Sequence, residues 1–108
     1  MTVYRVRLTR LTQADLNAAA LWIAKDNPAA AGRWLDAVTE AIITLKTMPD
    51  RCHLAPESKE LGVEIRQMLF GKRRGIYRAV FCVVGEEVQI LRVLHGMRDS
   101  LTYSDLGL

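Results

Sequence analysis

Residues 76–84 and 87–95 constrain the fold of this chain more than any other part of it. Ile76-Tyr77-Arg78-Ala79-Val80-Phe81-Cys82-Val83-Val84 and Glu87-Val88-Gln89-Ile90-Leu91-Arg92-Val93-Leu94-His95 are rich in β-branched and aromatic residues, and only Gly85-Glu86 separates them. A link that short joins two strands as an antiparallel hairpin. The first strand is apolar on both faces, which predicts that it is the most enclosed strand of its sheet. A third strand is predicted over 64–70, joined to the hairpin through Gly71–Gly75. The pair ends in His95-Gly96-Met97-Arg98-Asp99, so Arg78, Arg92, His95 and Arg98 are expected near one end of the sheet. A cationic cluster on a rigid sheet suits an anionic partner: nucleic acid, a nucleoprotein complex or an acidic peptide.

Upstream the period changes. Val3 to Thr9 alternates, with Tyr4, Val6 and Leu8 on one face and Val3, Arg5, Arg7 and Thr9 on the other, as in a half-buried strand. Thr12-x-x-Asp15 has the form of a capping box, and Leu16, Ala20 and Ile23 follow at helical spacing. That helix must stop near Lys25, because Asn27 precedes proline. Asp26-Asn27-Pro28 then starts a second helix, whose stripe is Ala31, Leu35, Val38, Ile42 and Leu45, ended by Met48-Pro49. The two form an αα-hairpin over about 12–48, and both stripes are read as core. Residues 49–62 carry two prolines and no steady period, and are predicted as a loop. The C-terminal sheet spans about 63–95, and the tail, 99–108, is expected to add a brief helical turn.

The predicted order is β-α-α-β-β-β, an α+β arrangement: a curved antiparallel sheet with the helical hairpin packed on one face. The opposite face and the sheet edge are expected to be left for a partner.

With 108 residues, half of them apolar and a quarter charged, the chain is expected to be one globular domain with a modest core. No apolar run reaches the roughly 20 residues of a membrane helix, and the opening residues lack a secretion signal's apolar segment, so the cytoplasm is the expected compartment. The net charge of +3 is unevenly placed. Between Ile65 and Gly85 lie Arg66, Lys72, Arg73, Arg74 and Arg78, and no acid. Lys72-Arg73-Arg74 is most simply a solvated hairpin tip. Arg78 sits inside an apolar run, where a charge is costly unless it is used or paired. Cys52 and Cys82 read as reduced thiols, and Cys52-His53, being adjacent, has the wrong geometry for a nucleophile and its base. Neither has partners at ligand spacing, so no metal and no cofactor is expected.

The element order, Asp26-Asn27-Pro28 between the helices, Gly75-x-Tyr77-Arg78, and Ile90-x-x-Val93-x-His95-Gly96-x-Arg98-Asp99 together resemble the RelE/ParE superfamily, the toxins of bacterial type II toxin–antitoxin modules. The resemblance runs from Val3 to about Asp99. It implies a cognate antitoxin whose C-terminal segment folds as it wraps the toxin, with promoter DNA reached only through that antitoxin. Arg5 and Arg7, on the exposed strand face, are the expected contacts for its acidic residues.

Two branches follow from the resemblance. RelE-like members cleave messenger RNA in the ribosomal A site without a metal, whereas ParE-like members block DNA gyrase and are not nucleases. Fold alone does not choose between them. Metal-free cleavage needs a base, cations on the phosphate and an acid. Here Arg78 and Arg98 match the family's phosphate ligands, while His95 and Tyr103 are the candidates for proton transfer. The strand over 64–70 offers Arg66 alone where RelE-like nucleases commonly place two or more basic residues, and Tyr103 does not align cleanly with their tail tyrosine. His95 is equally well read as a strand-end residue bonded to the turn. Val93-Leu94-His95-Gly96-Met97-Arg98-Asp99 and the long second helix match the ParE-like branch better. That branch implies occupancy of gyrase by a surface built from Arg66, Arg78 and Arg98, with no catalytic residue. The alternatives are a ribosome-dependent endoribonuclease and a non-toxic remnant that still binds its antitoxin.

Overall fold

The computed structural model describes residues 2–72, 75–96 and 100–108. In chain order the elements are β1 (Arg5–Leu8), α1 (Arg10–Ala24), α2 (Pro28–Ile43), β2 (Arg66–Phe70), β3 (Tyr77–Val84) and β4 (Glu87–His95), with α3 (Pro56–Leu61) between α2 and β2 and α4 (Tyr103–Leu106) at the end. The α+β class and the curved sheet with its helical hairpin are as the sequence led us to expect. The sheet order is β1-β4-β3-β2. β2, β3 and β4 form the antiparallel meander, whereas β1 lies parallel to β4. The whole helical hairpin separates β1 from the rest of the sheet, which gives the chain length enough for a parallel crossover.

The start of α1 corrects the sequence reading. Its N-cap is Thr9, whose side chain accepts from the Thr12 amide, and Thr12 is not a cap but a buried residue of the first turn. The reason lies in the sheet edge. β1 ends at Leu8, opposite Ile90, so β4 runs on without a neighbour. The hydroxyls of Thr9 and Thr12 donate to the Ile90 carbonyl at 2.8 and 2.7 Å, and Asp15 Oδ2 accepts from the Val93 amide at 3.0 Å. The first turns of α1 thus supply the hydrogen bonds that a continued β1 would have made. The second helix starts as read: Asn27 caps it by accepting from the Ala30 amide, with Pro28 in the first turn.

One layer of core lies between the helices and the sheet, built on Leu16, Val38, Ile42 and Leu45 against Ala79, Phe81, Val88, Ile90 and Val93. The numbering along β4 carries a parity change. Val80 pairs with Arg92 and Phe81 with Ile90, leaving Leu91 as a bulge. Because of it Val93 follows Val88 and Ile90 into the core, and Arg92 is turned away from it.

The second correction concerns the opposite face, which is not left open. Ala55, Ile65, Val80, Leu91, Leu101 and Leu106 form a second buried cluster there. Residues 49–62 are therefore more than a loop: Pro49–Arg51 makes a 3₁₀ turn and α3 follows, with Pro56 in its first turn and Gly62 left-handed (φ 69°) past its end. A six-residue helix is too short to show a period. The tail closes over the same face, with α4 held by a capping box between Thr102 and Asp105. Among the described residues no helix is long and apolar enough to cross a membrane.

Candidate functional site

The charged residues singled out in the sequence are mostly tied to other residues inside the fold. Arg78 is only 7% exposed and Glu57, on α3, only 1%. Arg78 Nη1 donates to Glu57 Oε1 at 2.9 Å and to Gln67 Oε1 at 3.1 Å, and Nη2 donates to Glu57 Oε2. Glu57 Oε2 also accepts from the Leu101 amide at 3.0 Å. Hydrogen bonding from Arg78, helped by that amide and opposed by burial, holds the Glu57 carboxyl down to about 2. The expectation that Arg78 presents its charge outward is corrected: the residue is an internal tie between β3, α3 and the tail.

Arg92 behaves similarly. Its Nε and Nη2 meet the two carboxylate oxygens of Asp15 at 2.7 Å each, and Nη1 donates to the Asp105 carbonyl at 2.7 Å. It staples α1 to α4 around the edge of β4, and the Asp15 hydrogen bonds raise its pKa. Arg66 donates to the carbonyl of Cys52 at 2.7 Å and pairs with Glu64 at 3.2 Å, bracing the segment before α3. Tyr103 donates its hydroxyl to the Leu61 carbonyl, which ties the tail to α3.

His95 lies elsewhere. It pairs across the sheet with Tyr77, their rings meet edge to face at 5.3 Å, and Tyr77 packs with Trp34 and Phe70 on the helical side. Arg78 follows Tyr77 directly and pairs with Leu94, so it points to the other face. His95 and Arg78, expected near one another, are separated by the thickness of the sheet, and Tyr103 is on the Arg78 side. Arg98, Arg73 and Arg74 lie outside the described residues; Lys72 is exposed.

What the structure gathers at this end of the sheet is an aromatic wall. An open groove of about 430 Å³ runs between α1 and β4, lined by Asp15, Ala18, Trp22, Tyr77, Val93 and His95 among others. Trp22 is 68% exposed, and the Lys25 ammonium sits 4.9 Å from its ring centre. With Ala18 and Ala19 among its lining residues, this groove suits an apolar side chain of a protein partner.

On β1, Arg5 and Arg7 face away from the helices, their side chains 79% and 52% exposed. Arg7 Nε pairs with Glu87 Oε1 at 3.0 Å, while Arg5 reaches Glu87 at 4.0 Å. Hydrogen bonds from Arg7 and Gln89 lower the Glu87 pKa. Cys52 and Cys82 are free thiols, and burial raises the pKa of each, so both are protonated at neutral pH.

Three residues that matter here escaped the sequence reading. Glu57 sat in a stretch without a period, Asp15 looked like a cap, and Trp22, outside the Leu16, Ala20 and Ile23 stripe, drew no reading. An acid needed by the lone charge inside the β3 run was the available signal for Glu57, but its position along the chain was not.

Comparison with known proteins places these features. The family model described as "ParE toxin of type II toxin-antitoxin system, parDE" matches residues 6–100. Among solved structures, the chromosomal ParDE toxin–antitoxin system from P. aeruginosa superposes with a TM-score of 0.68 at 23% identity, covering 86% of this chain and 96% of that one. At that identity the superposition speaks for the fold. No curated protein matches the chain.

Proposed function

This chain belongs to the ParE toxin family of type II toxin–antitoxin systems, and from that premise we propose that it acts by binding, as an inhibitor of DNA gyrase neutralised by a cognate antitoxin. The observation that carries the choice against RNA cleavage is the division of the candidate groups between two faces. A metal-free nuclease needs its phosphate ligand and its proton-transfer group around one phosphodiester. Arg78 is enclosed by Glu57 and Gln67 on one face, and His95 stands against Tyr77 on the other. Tyr103 gives its hydroxyl to a backbone carbonyl.

A binding toxin needs no such convergence. Its target surface, in this reading, is the sheet end that carries the Trp22 groove and exposed Lys72, together with Arg98, three residues beyond His95 in the sequence. Arg66 and Arg78 hold this surface in shape from behind and do not touch the target. The antitoxin contacts remain Arg5 and Arg7.

The test is a supercoiling and DNA-cleavage gel with purified, antitoxin-free protein. Loss of supercoiling with accumulation of linear DNA, unchanged in His95→Ala, is the expected result. Absence of any effect from folded protein, together with messenger RNA cut in the ribosomal A site, would overturn the proposal in favour of the endoribonuclease.

A further inference from the structure

The Trp22 groove has two walls, and Asp15 joins them. The wall on α1 is Asp15, Ala18, Ala19 and Trp22, spaced i, i+3, i+4 and i+7, which is one face of the helix. The wall on the sheet includes Tyr77, Val93 and His95. Asp15 Oδ2 accepts from the Val93 amide at 3.0 Å, so a hydrogen bond links the two walls directly. Trp22 lies seven residues further on, roughly 10 Å along the helix axis. At that distance a tilt of about 5° pivoting at Asp15 displaces Trp22 by roughly 1 Å.

Asp15 is itself held. Arg92 donates to both of its oxygens at 2.7 Å, from Nη2 to Oδ1 and from Nε to Oδ2. The Arg92 and Asp15 side chains are 13% and 9% exposed, so the fork is nearly dry and its geometry is stiff. The remaining nitrogen of Arg92 is fixed by the Asp105 carbonyl at 2.7 Å. Leu16, next in the chain, sets the depth of α1 against the sheet as part of the core. The Asp15–Arg92 fork adds what an apolar contact does not, a defined rotation and tilt.

We propose that Asp15 and Arg92 are positioning residues for target binding: neither touches gyrase, and together they hold the α1 wall at the spacing from β4 that lets the groove accept an apolar side chain of the target. This rests on the gyrase reading above and assigns the groove's geometry to one ion pair. A binding site keeps its affinity only while the residues behind it lock the contacting groups in place. Ala18 and Ala19 leave the groove wide and supply little packing of their own, so the fork at its end carries that task. Lysine does not replace Arg92 here, because a single ammonium cannot meet both Asp15 oxygens in a planar fork and the Asp105 carbonyl as well.

The experiment measures binding of the purified, antitoxin-free protein to DNA gyrase by calorimetry, with the Trp22 indole followed by NMR in the free protein. Arg92→Lys and, separately, Asp15→Asn should weaken binding by about tenfold and shift the Trp22 indole resonance, while circular dichroism shows a folded chain. Ile42→Val trims the core away from the groove lining and should leave both the affinity and the indole resonance unchanged, which separates positioning from a general loss of stability. Ala18 is exposed, so Ala18→Leu fills the groove without entering the core and should abolish binding. Natural affinity in folded Arg92→Lys and Asp15→Asn, with Ala18→Leu inactive, would overturn the positioning role and leave the gyrase reading standing. Natural affinity in Ala18→Leu would overturn it too, by removing the groove from the contact. No binding by the natural chain would overturn both readings.

Discussion

Glu57 and Arg78 form a closed ion pair that three parts of the chain share. Arg78 comes from the middle of the sheet, Glu57 from the short helix behind it, and the second carboxylate oxygen also holds the Leu101 amide of the tail. Removing one partner leaves the other charge buried and unanswered. Arg78→Ala or Glu57→Ala should therefore cost about 3–5 kcal/mol in urea unfolding. Loss of toxicity in either variant would report the loss of the fold. Replacing both residues by apolar side chains, Glu57→Leu with Arg78→Met, should recover part of the loss, because no lone charge then remains.

The same pair sets an acid limit. The Glu57 carboxyl ordinarily titrates at 4.5 and is held at about 2 in the fold. A carboxyl lowered in the folded state stabilises at pH values above its unfolded pKa and loses that contribution as pH falls toward its folded one. The contribution is roughly 3 kcal/mol, and it should fade between about pH 5 and pH 2. Urea midpoints measured across that range should fall for the natural chain, and fall much less for Glu57→Gln, which begins low and has no charge to lose. Equal slopes for the two would remove Glu57 from the account of acid sensitivity.

The two tryptophans should behave differently in solution. Trp34 packs against Phe70 and Tyr77 at 6.2 and 5.1 Å, whereas Trp22 is exposed beside Lys25. Iodide should quench a fraction of the fluorescence that disappears in Trp22→Phe and persists in Trp34→Phe. Trp22→Ala touches no core contact and should change stability by no more than about 0.5 kcal/mol. If it also reduces gyrase inhibition, the groove is part of the target surface.

Periodicity made the helical hairpin and the β3–β4 hairpin legible, because long amphipathic stripes and a two-residue turn leave few alternatives. Asn27-Pro28 worked as a start signal for the same local reason. Long-range partnership is what stayed hidden. Thr12 and Asp15 look like a cap until β4 is seen to run past the end of β1, where their side chains are needed for its backbone. α3 is invisible in a six-residue stretch, although it supplies the one acid that makes Arg78 tolerable. The basic residues were legible as residues, but which face each took depended on register and on the bulge at Leu91, and a bulge leaves no mark in a single sequence.

The tail offers a last test that separates structure from function. Leu101 and Leu106 are both 2% exposed and cover Val80 and Leu91, while Arg92 holds the Asp105 carbonyl. Deleting residues 101–108 uncovers that apolar face and removes the Leu101 amide from Glu57 Oε2, so the truncated chain should unfold or aggregate, seen as a lost cooperative transition in thermal melts. Tyr103→Phe removes only one hydroxyl and its bond to the Leu61 carbonyl. It should cost about 1 kcal/mol and leave toxicity intact. A folded Tyr103→Phe protein without toxicity would mean that the hydroxyl has a chemical role, and would move the protein toward the endoribonuclease branch.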